Sequence, residues 1–210
     1  MPQLKLLSFP DLIDLLFTVP EVEAEIHRRY EVTGSILVCD FTGMVRRTRA
    51  DGIVYALALA RAAERALMPA ISDQGGEIIK RVADTFFAVF PSPATALLAA
   101  LDANRRAHTF NHDRTGHIGD GRRNDPIWPG IGLGHGTLLV VPREDVYGDE
   151  VNRAFVLGED VAAGGETLCT EAFLQALGTL PDGVGAFRAP HDREIEAGFP
   201  FQVLKDYRGD

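Results

Sequence analysis

Two apolar runs in this chain each lead to an aspartate, and the elements around them leave few folds open. The first is Ser35-Ile36-Leu37-Val38-Cys39-Asp40, followed at once by Phe41-Thr42-Gly43. The second aspartate, Asp84, falls between Ile78-Ile79-Lys80-Arg81-Val82 and Phe86-Phe87-Ala88-Val89-Phe90, where a hairpin turn belongs. Such runs read as strands, and an acid suits a strand end far better than its interior. Between them, alanine- and leucine-rich sequence over residues 51–71 predicts a helix of about five turns. Further helices are expected over 93–107, 149–163 and 171–177, and strands over 131–141, 166–170, 183–189 and 199–207. The order β-α-β-β-α-β with later additions predicts an α+β fold. Its core is ferredoxin-like, a mixed sheet covered by helices on one face.

Residues 8–30 read as one or two short amphipathic helices, opened by Pro10-Asp11 and by Pro20 with the acids that follow it. Leu12, Leu15, Leu16 and Val19 form one stripe, expected to dock on the core or on a partner. The expected division is therefore an N-terminal helical extension, 1–32, and a main domain, 33–210. At 210 residues and 46% hydrophobic, the chain is large enough for that domain to bury its own core. A net charge of −9 argues against a general nucleic-acid or anionic-membrane surface. Cys39 and Cys169 are the only cysteines, which argues against a disulfide framework or a cysteine zinc site and suits a reducing cytosol. The start, Met1-Pro2-Gln3-Leu4-Lys5, lacks a signal peptide's order, and Arg61, Glu64 and Arg65 interrupt the most apolar helix. These features predict a soluble cytoplasmic protein with no membrane span and no nucleic-acid partner.

If the two aspartate-ending strands are neighbours, Asp40 and Asp84 converge. Converging carboxylates with no histidine or cysteine beside them suit a hard cation such as Mg²⁺, and hence phosphate chemistry. Each aspartate alone would read as a helix N-cap or a turn residue. What favours the metal reading is the company they keep.

Laid end to end, four segments resemble the catalytic domain of the class III nucleotidyl cyclases, over roughly residues 33–180. Val38-Cys39-Asp40-Phe41-Thr42-Gly43-Met44 looks like the family's first metal motif. Lys80-Arg81-Val82-Ala83-Asp84 resembles its Lys-x-x-Gly-Asp hairpin, with alanine in place of the glycine. The segment from Gly130 through Gly136 is similar to its glycine-punctuated central strand. The stretch from Asp145 through Ala154 is similar to its Asp-x-x-Gly-x-x-Val-Asn-x-Ala segment. The resemblance implies attack of a ribose 3′-hydroxyl on the α-phosphate of a nucleoside triphosphate, with release of pyrophosphate. Asp40 and Asp84 would hold two Mg²⁺ or Mn²⁺ ions per site. Backbone N–H groups of Phe41, Thr42, Gly43 and Met44 would cradle phosphate oxygens.

By the same resemblance Lys80 and Asp145 read the base, a lysine donor and an aspartate acceptor complementing adenine's N1 and N6. Lys80 alone would also serve a uracil edge. Asn152 matches the asparagine that orients the ribose. Four residues on, where the family usually carries a transition-state arginine, this chain has Val156, and such arginines elsewhere are worth about 10³–10⁵ in rate. Arg153, about 60° around a regular helix from Val156, is the nearest substitute. Family members place the metal and base-reading residues of one site on different chains, which implies a head-to-tail homodimer with shared sites. The expected activity is conversion of ATP to cyclic AMP. The alternatives are a pyrimidine cyclase of phage defence and a non-catalytic nucleotide-binding or dimerisation module.

Other candidates carry less. Residues 108–125 are expected to form one long loop, with His108, His112, His117 and Asp113 beside Arg105, Arg106, Arg114, Arg122 and Arg123. Zinc binding there would need ligands that a glycine-rich loop does not orient. The 130–136 glycines lack the strand-then-helix setting of a dinucleotide fingerprint. Lys205 falls too late in the chain to take the family's triphosphate lysine role.

Overall fold

The computed structural model describes residues 4–115, 126–181, 184, 187–188 and 197–204. Two helices, α1 (Phe9–Leu15) and α2 (Val22–Tyr30), precede β1 (Glu31–Phe41). Then come α3 (Met44–Asp51), α4 (Ile53–Ser72), the hairpin β2 (Glu77–Val82) and β3 (Thr85–Phe90), and α5 (Pro93–Thr115). After β4 (Pro129–Val141) and β5 (Asp145–Tyr147) the chain forms α6 (Asp149–Phe155) and runs straight into a π-helical segment, Val156–Val161. It closes with β6 (Thr167–Thr170), α7 (Glu171–Leu177), β7 (Phe187–Arg188) and β8 (Phe201–Leu204).

The sheet runs β2-β3-β1-β4-β6-β8-β7, with β5 paired to the far end of β4. Its first four strands are mutually antiparallel, in the order that the βαββαβ core requires. β6 lies parallel to β4 and makes the sheet mixed. Helices cover both faces, not the single face expected. On one, Leu37, Cys39, Phe41, Phe86, Phe90 and Leu133 pack against α4, α5 and α7. On the other, Ile36, Val38, Phe87 and Leu138 pack against Val151 and Ala154 of α6. Alternation puts odd and even residues of β1 on opposite faces, and both sets are buried.

The second face is built on glycine. Gly130, Gly132 and Gly134 lie on one side of β4, and α6 with the π segment rests directly on them. A Cβ at Gly132 would stand 2.0 Å from the Ala154 carbonyl oxygen, and one at Gly134 would stand 2.6 Å from that of Glu150. Gly158 answers from the helix side, where a Cβ would come within 2.8 Å of the Val38 oxygen. Glu150 latches the contact, accepting from the His135 N–H at 3.2 Å and from the Thr170 hydroxyl at 2.5 Å.

The N-terminal stripe docks on the protein's own core. Leu12, Val22, Ile26 and Tyr30 pack with Val141 and Leu139 at the end of β4. α1 opens with a capping box between Ser8 and Asp11, with proline in its first turn. The expected long loop is corrected over its first part: residues 108–115 continue α5. Asn111 anchors that extension, donating to the Ile127 carbonyl at 2.8 Å and accepting from its N–H at 2.9 Å. His117, Arg122 and Arg123 and the Arg114 side chain lie outside the described residues. Among the described residues no helix is long and apolar enough to cross a membrane.

Gly132→Ala should lower the melting temperature by roughly 3–10 °C, since overpacking typically costs about 1–3 kcal/mol. Gly136→Ala should cost far less, because a Cβ there meets only the Glu150 side chain, at 3.2 Å. Thermal denaturation of the two variants checks this; equal losses would refute backbone contact as the cause.

Candidate active site

Asp40 sits at the end of β1, opposite Gly130, and Asp84 sits in the β2–β3 turn. The register that pairs Cys39 with Phe86 brings the turn to Asp40. The buried Thr85 hydroxyl lies 3.1 Å from Asp40 Oδ1 and 2.7 Å from Glu159 Oε2. A hydroxyl has one proton, so it donates to one of these carboxylates at a time. The Asp40 pKa is raised to about 6, chiefly by burial and then by the charges of Asp84 and Glu159, against bonds from Thr85 and the Phe41 N–H that lower it. Asp84 is also raised, chiefly by burial and then by Glu159.

Three carboxylates thus share one corner where their charges repel. Oxygen-only donors of this kind fit Mg²⁺ or Mn²⁺. Among the described residues no three histidine, cysteine, aspartate or glutamate side chains are arranged to hold an ion unaided. The donor set therefore fits the usual Mg²⁺ arrangement, in which one or two carboxylates are completed by substrate phosphates and water.

No motif in the sequence marks Glu159. A regular helix over 149–163 was expected there, and the π segment changes which residues face the sheet. The available signal was Gly158, a glycine inside an apolar helix, which costs about 1 kcal/mol unless a close approach requires it.

Of the four expected phosphate-binding amides, two are occupied. The Phe41 N–H bonds the Asp40 carboxylate, and the Thr42 N–H donates to the Trp128 carbonyl at 3.0 Å. That leaves Gly43, in the left-handed region at φ 82°, and Met44 at the start of α3. In the hairpin, Ala83 carries φ 54°. Alanine thus holds a left-handed conformation at the position that glycine fills in the resembling motif.

Lys80 and Asp145, 65 residues apart in sequence, meet at 2.8 Å. Lys80 Nζ also lies 5.8 Å from the Phe87 ring centre. Tyr147 hydrogen-bonds Asp145, and its phenol is raised by partial burial and by the Asp145 charge. Its ring stacks on Phe9 of α1 at 5.7 Å. Asn152 is exposed on α6. Arg153 is held along its own helix, 2.8 Å from Asp149 and 3.7 Å from Glu150, with its guanidinium 5.0 Å over Phe199. Val156 opens the π segment and packs against an apolar cluster with Leu157 and Phe201. The structure therefore brings Asp40 to Asp84 and Lys80 to Asp145, and it engages Arg153 elsewhere. Arg105 and Arg106 both pair with Asp102, Arg106 at 2.7 Å.

No protein-family model matches the sequence, and neither does any curated protein. Solved structures do match. An adenylate/guanylate cyclase/hydrolase from Silicibacter pomeroyi is 24% identical, with TM-score 0.62, covering 82% of this chain and 95% of its own. The adenylyl cyclase CyaB of P. aeruginosa is 18% identical, with TM-score 0.65, covering 85% and 96%. The monomeric guanylyl cyclase domain of the RhoGC fusion protein from Blastocladiella emersonii is 14% identical, with TM-score 0.62, covering 83% and 95%. The chain has the fold of the class III adenylate and guanylate cyclase catalytic domains.

Ala83→Gly should stabilise the protein by about 1 kcal/mol, raising the melting temperature roughly 2–4 °C, because it removes a left-handed alanine. No gain would show that the turn carries no strain.

Asp40 binds its proton more tightly folded than unfolded, where its pKa is near 3.8. Its ionisation therefore costs the fold stability as pH rises from about 4 through 6, and the full cost persists above. Metal-free Asp40→Asn should melt roughly 2–4 °C above wild type at pH 7.5, with the gap closing below pH 4. Melting curves across that range test the sign.

Proposed function

We propose that this chain is a nucleotide cyclase, converting ATP to 3′,5′-cyclic AMP and pyrophosphate. The observation that carries the reading is the convergence of Asp40 and Asp84 at a strand end and a hairpin, in a fold shared with adenylyl and guanylyl cyclases. Asp40 and Asp84 would hold two Mg²⁺ or Mn²⁺ ions. Bound there, the ions would lower the pKa of the attacking hydroxyl and neutralise the triphosphate. The bond from O3′ to the α-phosphorus forms as the bond to the β-phosphate oxygen breaks, and the hydroxyl proton passes to solvent. Gly43 and Met44 N–H groups would support the phosphates, and Asn152 would orient the ribose.

Neighbours of this fold act on either purine, so base choice rests on Lys80 and Asp145. A donor and an acceptor side by side at 2.8 Å complement adenine, whose N1 accepts beside an N6 that donates. Guanine offers the reverse polarity. The two halves of a site would come from different chains of a head-to-tail homodimer, which the N-terminal helices would strengthen.

A second reading has its own observation. Val156 supplies no cation and Arg153 is engaged along α6, which suits a nucleotide-binding module of low or absent turnover.

Incubating the protein with each of the four triphosphates and Mn²⁺, and identifying cyclic products by mass, separates these readings. Cyclic AMP is expected. Cyclic UMP or CMP would favour a pyrimidine cyclase, and nucleotide binding without product the binding module. Mixed Asp40→Ala and Lys80→Ala proteins should recover part of wild-type activity. No recovery in dimers shown to exchange subunits would refute the shared site.

A further inference from the structure

Lys80, Phe87 and Phe155 form one contiguous strip on the face that carries α6. Lys80 and Phe87 are direct cross-strand partners, and Phe155 stacks on Phe87 with centroids 5.9 Å apart and rings 8° from parallel. Phe87 is the supporting member, only 7% exposed, whereas Phe155 keeps 36% of its surface in solvent. One turn back along α6, and so adjacent on the helix surface, is Asn152. Phe155 thus borders both Lys80, through Phe87, and Asn152, its neighbour on the helix. A base whose edge meets Lys80 and whose ribose meets Asn152 would lie beside this ring.

We infer that the exposed Phe155 ring is the apolar shelf on which a purine base lies while Lys80 and Asp145 engage its edge. This inference rests on the cyclase reading of the same site and adds a specificity-determining residue to it. The physical case is that a hydrogen-bonding pair alone selects an edge but supplies little affinity, because Lys80 and Asp145 already satisfy each other before the base arrives. A flat ring supplies affinity for the base as a plane, and a Phe87 floor beneath keeps that ring in one orientation. A two-ring purine overlaps such a shelf more than a pyrimidine does.

The test compares binding of ATP, UTP and inorganic tripolyphosphate, each with Mn²⁺, to dimeric wild type, Phe155→Ala and Phe155→Trp by titration calorimetry. Phe155→Ala should weaken ATP about 5- to 150-fold, the span that loss of one base–aromatic stack covers. It should weaken UTP less and leave tripolyphosphate unchanged. Phe155→Trp should keep ATP affinity, and the added indole emission should be quenched by ATP but not by tripolyphosphate. Equal weakening of ATP and tripolyphosphate, a loss of the dimer with both, or unchanged ATP affinity would overturn the shelf. ATP binding that is lost in Phe155→Ala, in a wild type that makes no cyclic product, would support the shelf and remove only the cyclase reading.

Discussion

Backbone contact between α6 and β4 is the interaction on which the rest of the structure depends. A helix normally stands on a sheet through a layer of side chains. Here Gly130, Gly132 and Gly134 remove that layer, and Gly158 removes it from the helix side. The helix drops until its carbonyls touch the strand, and Glu150 fastens it through His135 and Thr170. That descent presents Asn152 and Phe155 at the strip beside Lys80. The π turn at Val156 then carries Glu159 to Thr85 and Asp40. Regular α-helix would carry a different side of the chain over β1.

The carboxylate corner shows the opposite economy, with favourable folding terms given up locally. Asp40 and Asp84 are partly buried, repel each other, and face a third acid. The hairpin that delivers Asp84 holds an alanine in the left-handed region. Strain and like charge concentrate where a cation and a triphosphate would relieve them, a pattern common to functional sites. The cluster around Lys80 is the reverse: Lys80, Asp145 and Tyr147 satisfy one another. Through the stack of Tyr147 on Phe9, that side is also joined to the N-terminal helices.

Much of this was legible in residue order. The β1 run, its closing aspartate and the hairpin are local patterns, and local patterns survive into the fold wherever burial agrees with them. α5 exceeded its expected end because Asn111 pairs both polar atoms with the Ile127 backbone, a contact across 16 residues that composition does not announce. Helices on both faces were missed because a doubly buried central strand loses the alternation that marks a one-sided sheet. The strip of Lys80, Phe87 and Phe155 was invisible for a related reason: its members come from three elements.

The sequence by itself determined the β1 run with its closing aspartate, the turn that carries Asp84 and the long helix between them. These follow from short-range steric and hydrophobic rules acting on neighbouring residues. Only the tertiary structure decided that α6 gives way to a π segment, that Glu159 joins Asp40 and Asp84, and that Arg153 is engaged along its own helix. Those outcomes depend on how closely two backbones can approach, and on which charges that approach brings together.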